Sequence, residues 1–111
     1  MARAGIDYYL DVQSAALPAF TSPNVTVRFR QAIKETELGP RTETTPLAAY
    51  LAAEQRLGRL RADADPEASA RLLVAGCFHR AYIEMFVGAD AAPSRDASAR
   101  EIVRELRLDP V

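Results

Sequence analysis

The sequence holds one cysteine, one histidine and one lysine (Lys34), and no apolar run longer than the stretch from Leu72 to Phe78. A single cysteine excludes an intrachain disulfide and any zinc site of the multi-cysteine kind, and it suits a reducing cytosol. The apolar run is far too short to span a bilayer. Asp7 and Asp11 interrupt anything resembling a signal-peptide core near the start, so the reading is cytoplasmic with no membrane contact. The net charge of -1 lacks the basic excess that nucleic-acid binding usually needs. Scarce lysine and abundant alanine read as a coding bias without a functional message. What is present is enough for a globular fold: 111 residues, 49% of them hydrophobic, which fits a single domain over 1–111 with a single core.

Proline and glycine divide the chain into five helical patterns, and no stretch alternates in the manner of a strand. The first helix is expected from about Ala4 to Leu17 or slightly beyond, with Ile6, Tyr9, Leu10, Gln13, Ala16 and Leu17 on one face and Pro18 ending or kinking it. The second opens at Ser22-Pro23 and stops at Gly39-Pro40. Val25, Phe29, Ala32, Ile33 and Thr36 form its inner stripe, away from Arg28, Arg30 and Lys34. Residues 40–45 read as a polar loop. The third helix then starts at Thr45-Pro46 and reaches about Arg61, with Leu47, Tyr50, Leu51 and Leu57 on one side.

Asp65 is placed to cap a fourth helix from Pro66 to about Val87. Its apolar arc covers well over half the circumference, and its strongly polar residues, Arg71 excepted, cluster near Arg80 and Glu84. So wide an arc needs cover on more than one side, and a second subunit is the natural cover. A fifth helix, about Ser94 to Leu108, has a stripe of Ala99, Ile102, Val103 and Leu106. The expectation is an all-α five-helix bundle whose last two helices form a dimer interface, through Leu72, Val74, Phe78, Met85, Ala99, Ile102, Val103 and Leu106. The fifth-helix stripe docking on its own domain is the other reading.

Little looks catalytic. Cys77 and His79 are two apart and point in nearly opposite directions on a helix, so they form no dyad. His79 has no second ligand at metal spacing, and there is no phosphate loop or nucleophile elbow. Asp7 and Asp11 share a helix face, a pattern that is normally solvated. No metal and no cofactor is expected. The informative residues are polar groups on apolar faces: Gln13 beside Tyr9, Glu54 beside Tyr50, and His79 near Ile83. Together they resemble the lining of a mostly apolar ligand cavity. Each also has a plain reading: an ion pair with an arginine for Glu54, core or interface packing for His79, Tyr9, Tyr50 and Tyr82, and a small buried hydrophobe for Cys77.

The stretch Leu57-Gly58-Arg59-Leu60-Arg61, then Asp63-Ala64-Asp65-Pro66-Glu67, then Ala70-Arg71-Leu72-Leu73-Val74-Ala75-Gly76 resembles the regulatory half of TetR-type transcriptional repressors. There a helix ends near a glycine, an acidic Asp-Pro turn follows and a long apolar helix begins. Leu17-Pro18-Ala19-Phe20 through Ile33 is similar to the helices before that turn. The resemblance implies a homodimer through the last two helices and a small, largely apolar effector among the first four. Tyr9, Gln13, Phe29, Ile33, Tyr50, Glu54, His79 and Tyr82 are the candidate contacts. No counterpart of the family's N-terminal helix-turn-helix domain is expected within these residues, so DNA is expected to be contacted only through such a domain and not by these residues. A helical protein-interaction module without a ligand is the alternative, and a small helical enzyme the remote third.

Overall fold

The computed structural model describes residues 2–21, 23–36 and 40–110, without side-chain detail for 13–21 and for parts of the two helices that follow. Five helices occupy them: α1 (Ala2–Thr21), α2 (Pro23–Thr36), α3 (Pro40–Arg56), α4 (Pro66–Val87) and α5 (Arg95–Glu105). The described residues include no strand. The fold is therefore all-α. Ser22 and Gly39, expected as a cap and a stop, lie outside the described residues.

Two helices run through prolines, and α3 departs from expectation in doing so. α1 continues past Pro18 to Thr21. α3 starts at Pro40, so residues 40–45 are helical rather than loop, and Pro46 lies inside the helix. In each case the proline removes one backbone hydrogen bond, and the remaining turns hold the segment.

The end of α3 is set by Gly58. Its φ of +77° is the left-handed conformation that favours glycine. The Gly58 amide donates to the Gln55 carbonyl at 3.1 Å and the Arg59 amide to the Glu54 carbonyl at 2.9 Å. This is the Schellman arrangement that closes a helix. It ends α3 at Arg56, not Arg61, and leaves Leu57 in the turn, exposed instead of on the buried side. Gln55 then ties the turn down. Its side-chain amide donates to the carbonyls of Arg61, Ala62 and Ala64 at 3.1, 3.1 and 2.8 Å.

α4 begins as the sequence implies. Asp65 Oδ1 accepts from the amides of Glu67 (3.0 Å) and Ala68 (3.2 Å), with Pro66 at the first helical position. A cap of this kind contributes about 1 kcal/mol. Ser94 likewise caps α5, accepting from the Ala97 amide at 3.3 Å.

Two apolar clusters hold the helices together. The larger joins α1, α4 and α5 through Ala2, Ile6, Tyr9, Leu73, Cys77, Ala81 and Ala99. Tyr9 meets Phe78 edge to face, with ring centroids 5.4 Å apart. Ile102, Val103 and Leu106 of α5 pack onto the same cluster, so the α5 stripe docks on its own domain. The smaller cluster joins α3, the turn and α4 through Leu51, Leu60, Ala64 and Ala70. α2 packs against α1, and its Arg28, Arg30 and Lys34 are exposed as expected. Ala32, expected on the inner stripe, is exposed as well, and the side chains of Val25, Phe29, Ile33 and Thr36 lie outside the description. The helices form a thin body, 46 × 39 × 16 Å, less than two helix diameters deep.

Candidate functional site

The polarity of α4 is the reverse of an ordinary surface helix. The polar arc is inside: Arg80 and Glu84 are only 5% and 8% exposed. Beyond Glu67 and Arg71 in its first turns, the uncovered arc is mostly apolar, with Leu72, Tyr82 and Phe86 at 57%, 49% and 67% exposure. At 100° per residue, Leu72, Ala75, His79, Tyr82, Ile83 and Phe86 fall on one face of the helix. His79 sits at the middle of this stripe and is exposed. The rings of Tyr82 and Phe86 lean on each other, centroids 4.8 Å apart.

The buried arc is held by an ion network that crosses three helices. Arg80 reaches Glu84 at 3.1 Å and also donates to the Pro93 carbonyl. Arg95 of α5 binds Glu84 at 2.7 Å and Asp7 of α1 at 3.0 Å. Arg3 completes the chain, to Asp7 at 3.1 Å and to Asp96 at 2.6 Å. Arg95's hydrogen bonds hold the Glu84 carboxyl below its ordinary range, against desolvation that pushes upward and with further help from Arg80. For Asp7, desolvation also pushes upward, but hydrogen bonds from Arg3 and Arg95 outweigh it and the net shift is downward. Asp7 is thus part of a structural network and not half of a solvated pair with Asp11. Three cations and three anions balance, so the network joins helices without leaving a net charge in the fold. Nε and Nη1 of Arg80 are buried and unpartnered.

A second feature is a cleft of about 650 Å³ between α3 and the start of α4. Thr44, Thr45, Ala48, Ala49 and Ala52 line the α3 side, and Pro66, Glu67 and Arg71 the α4 side. Three alanines at positions i, i+1 and i+4 leave the space open. The Gln55 bonds, the Asp65 cap and the smaller core cluster fix the distance between its walls. Sequence reasoning missed both Gln55 and the cleft. The alanine spacing on α3 was the available signal, but an alanine face reads equally as close helix packing.

The model of the AefR-like transcriptional repressor C-terminal domain, a TetR-type regulatory domain, matches residues 14–107. The chain belongs to this family. No curated protein and no solved structure matches the chain significantly. It is the regulatory domain of a TetR-like repressor, a class of transcription regulators.

The structure of this TetR-type domain does not gather the five described candidate ligand contacts into one cavity. Tyr9 is buried in the larger core cluster. Tyr50 is half exposed on α3. Glu54 pairs with Arg59 in a two-point contact, at 2.8 and 3.0 Å. His79 and Tyr82 lie on the outer face of α4. The side chains of Gln13, Phe29 and Ile33 lie outside the described residues. None of the five described candidates is among the described residues that line the α3–α4 cleft. Of the eight candidate interface residues, Leu72 is exposed, while Ala99 is buried by the chain itself. Val74, Phe78, Met85, Ile102, Val103 and Leu106 are half-buried. The exposed apolar surface of α4 is the arc through Leu72, His79, Tyr82 and Phe86, which shares Leu72 with the expected interface residues. No described helix is long and apolar enough to cross a membrane.

Proposed function

We propose that this domain forms a homodimer through the outer face of α4 and senses a small-molecule effector in the cleft between α3 and α4. In a complete cytoplasmic repressor this would govern DNA binding by a helix-turn-helix domain. The observation that carries the dimer is the inverted polarity of α4. A helix that turns Arg80 and Glu84 inward and Leu72, Tyr82 and Phe86 outward is folded for a protein surface on both sides. Exposed apolar patches of this kind mark interaction sites. The thin body agrees, since its radius of gyration of 15.6 Å exceeds the roughly 13 Å usual for a chain of this length. A twofold axis near His79 would lay α4 against its copy and cover both faces at once.

The cleft supports the sensing half. Its volume of about 650 Å³ suits a small ligand, and α4 is a wall of both the cleft and the proposed interface. An effector that binds one spacing of α3 and α4 better than another shifts the dimer geometry by that difference in affinity.

Sedimentation equilibrium of the chain and of Phe86→Glu tests the dimer. The wild type is expected at twice the protomer mass, and Phe86→Glu as a folded monomer with unchanged helicity. A wild-type monomer at tens of micromolar, or a Phe86→Glu dimer, would refute this interface.

A further inference from the structure

The α3–α4 cleft has a charge pattern that specifies its occupant further. Glu67 and Arg71 lie one turn apart on α4 and both line the cleft. At this spacing, acid before base, the two side chains ordinarily pair with each other. Here neither makes an ion pair among the described residues, as Arg56, Arg100 and Arg107 also do not, but of these Glu67 and Arg71 alone line this cleft together. One carboxylate and one guanidinium are thus presented separately at the same cleft wall. The helix N-terminus does not contribute, because Asp65 already occupies the Glu67 and Ala68 amides. The opposite wall is different in kind: Ala48, Ala49 and Ala52 offer a short apolar surface, with Thr44 and Thr45 at one end.

A ligand with a single charge would meet one complementary and one like charge on this wall. A ligand with both signs meets complements twice. We infer that the cleft binds a small zwitterion with a short aliphatic body: its ammonium on Glu67, its carboxylate on Arg71, and its chain against Ala48, Ala49 and Ala52. Arginine suits the carboxylate because its planar donors bind two oxygens together. This inference rests on the reading that the cleft is the effector site, and it adds the chemical class of the effector.

The test uses three probes with the same six-carbon chain: norleucine, which carries both charges, hexanoate and hexylamine. Binding to the full chain is followed by the amide resonances of Ala48, Ala49, Ala52 and Arg71. Norleucine is expected to shift these four saturably, at least tenfold more tightly than either single-charge probe. Arg71→Gln should reduce norleucine to the affinity of hexylamine, and Glu67→Gln to that of hexanoate. Both residues are exposed, and equal melting temperatures will confirm that the variants fold. Ala52→Leu, which fills the cleft, should abolish all three responses. If hexanoate or hexylamine binds as tightly as norleucine and Ala52→Leu blocks it, the zwitterion is wrong and the effector cleft survives. If no probe shifts these resonances and Ala52→Leu raises the melting temperature, the cleft is a packing gap and both readings fall.

Discussion

Arg95 grips both carboxylate oxygens of Glu84, Nη2 to Oε2 at 2.7 Å and Nε to Oε1 at 3.1 Å. The contact joins α5 to α4 at a point where Arg80 also depends on the same carboxylate. Glu84→Gln would leave the buried Arg80 guanidinium without its counter-ion. Removing one member of a buried pair typically costs about 3 kcal/mol or more, because the remaining charge stays desolvated. Urea melts of Glu84→Gln should show a loss of roughly that size. The double variant Arg80→Met with Glu84→Gln should recover part of it, because no orphaned charge then remains. A double variant less stable than Glu84→Gln alone would show that Arg80 stabilises by another route.

The same network sets an acid limit on stability. Glu84 and Asp7 both titrate lower in the folded chain than their ordinary values of 4.5 and 3.8. A carboxyl with a depressed folded pKa stabilises fully above its unfolded pKa, and that contribution is lost as pH falls through the folded one. In that window the unfolded chain binds more protons. Stability should be flat from about pH 7 to 5.5 and then fall below about pH 4.5. Glu84→Gln should flatten part of the fall. The check is the urea midpoint measured at half-unit steps from pH 7 to 3, and a midpoint that rose on acidification would contradict the assignment.

The sequence carried some of this arrangement and withheld the rest for identifiable reasons. Asp65-Pro66 and Ser94 located the starts of α4 and α5, because capping is local chemistry. Ile6, Tyr9 and Leu51 are buried on the faces that their spacing implied. The prolines misled because Pro46 costs one hydrogen bond within a long helix, a cost that neighbouring turns can bear. The two sides of α4 could not be told apart from the sequence. Both arcs contain enough apolar surface to pack, and which one α1 takes depends on Asp7 and Arg95, distant in the chain but adjacent in the fold. The same distance hid the site. The cleft depends on a hydrogen-bonded turn between Gln55 and Ala64, and no helical wheel of α3 or α4 alone contains it.

Close approach between α1 and α4 makes Gly5 less replaceable than Gly76. A Cβ on Gly5 would lie 2.9 Å from Cys77 Sγ and 3.3 Å from its Cβ, inside the core. On Gly76 it would lie 3.2 Å from Ile102 Cδ1 and Cγ1, atoms of a longer, half-buried side chain. Alanine is favoured over glycine in a helix by about 1 kcal/mol, whereas overpacking a core costs about 1–3 kcal/mol. Gly5→Ala should therefore destabilise by about 1 kcal/mol net, and Gly76→Ala should be close to neutral. Thermal melts of both variants and of Gly5→Ala with Cys77→Ala check this. Removing the sulfur should make Gly5→Ala less harmful than in the wild-type background, and simple additivity would place the strain elsewhere.

Burial also decides the chemistry of Cys77. Its thiol is 1% exposed and donates to the Ala2 carbonyl at 3.3 Å. Desolvation raises its pKa from 9.0 to about 11. At pH 8 only about one thiol in a thousand would be ionised, and the thiolate is the reactive form. Reaction with a disulfide reagent at pH 8 should therefore be slow in the native chain and should accelerate in urea along the unfolding curve. α1 and α4 must separate before the sulfur is reached, so the labelling rate reports the opening of that pair. Glu84→Gln, which weakens the tie between α4 and α5, should speed labelling by the factor that matches its loss of stability. If labelling is fast in native buffer and indifferent to urea, α1 does not cover Cys77 in solution, and the larger core cluster is not closed at that end.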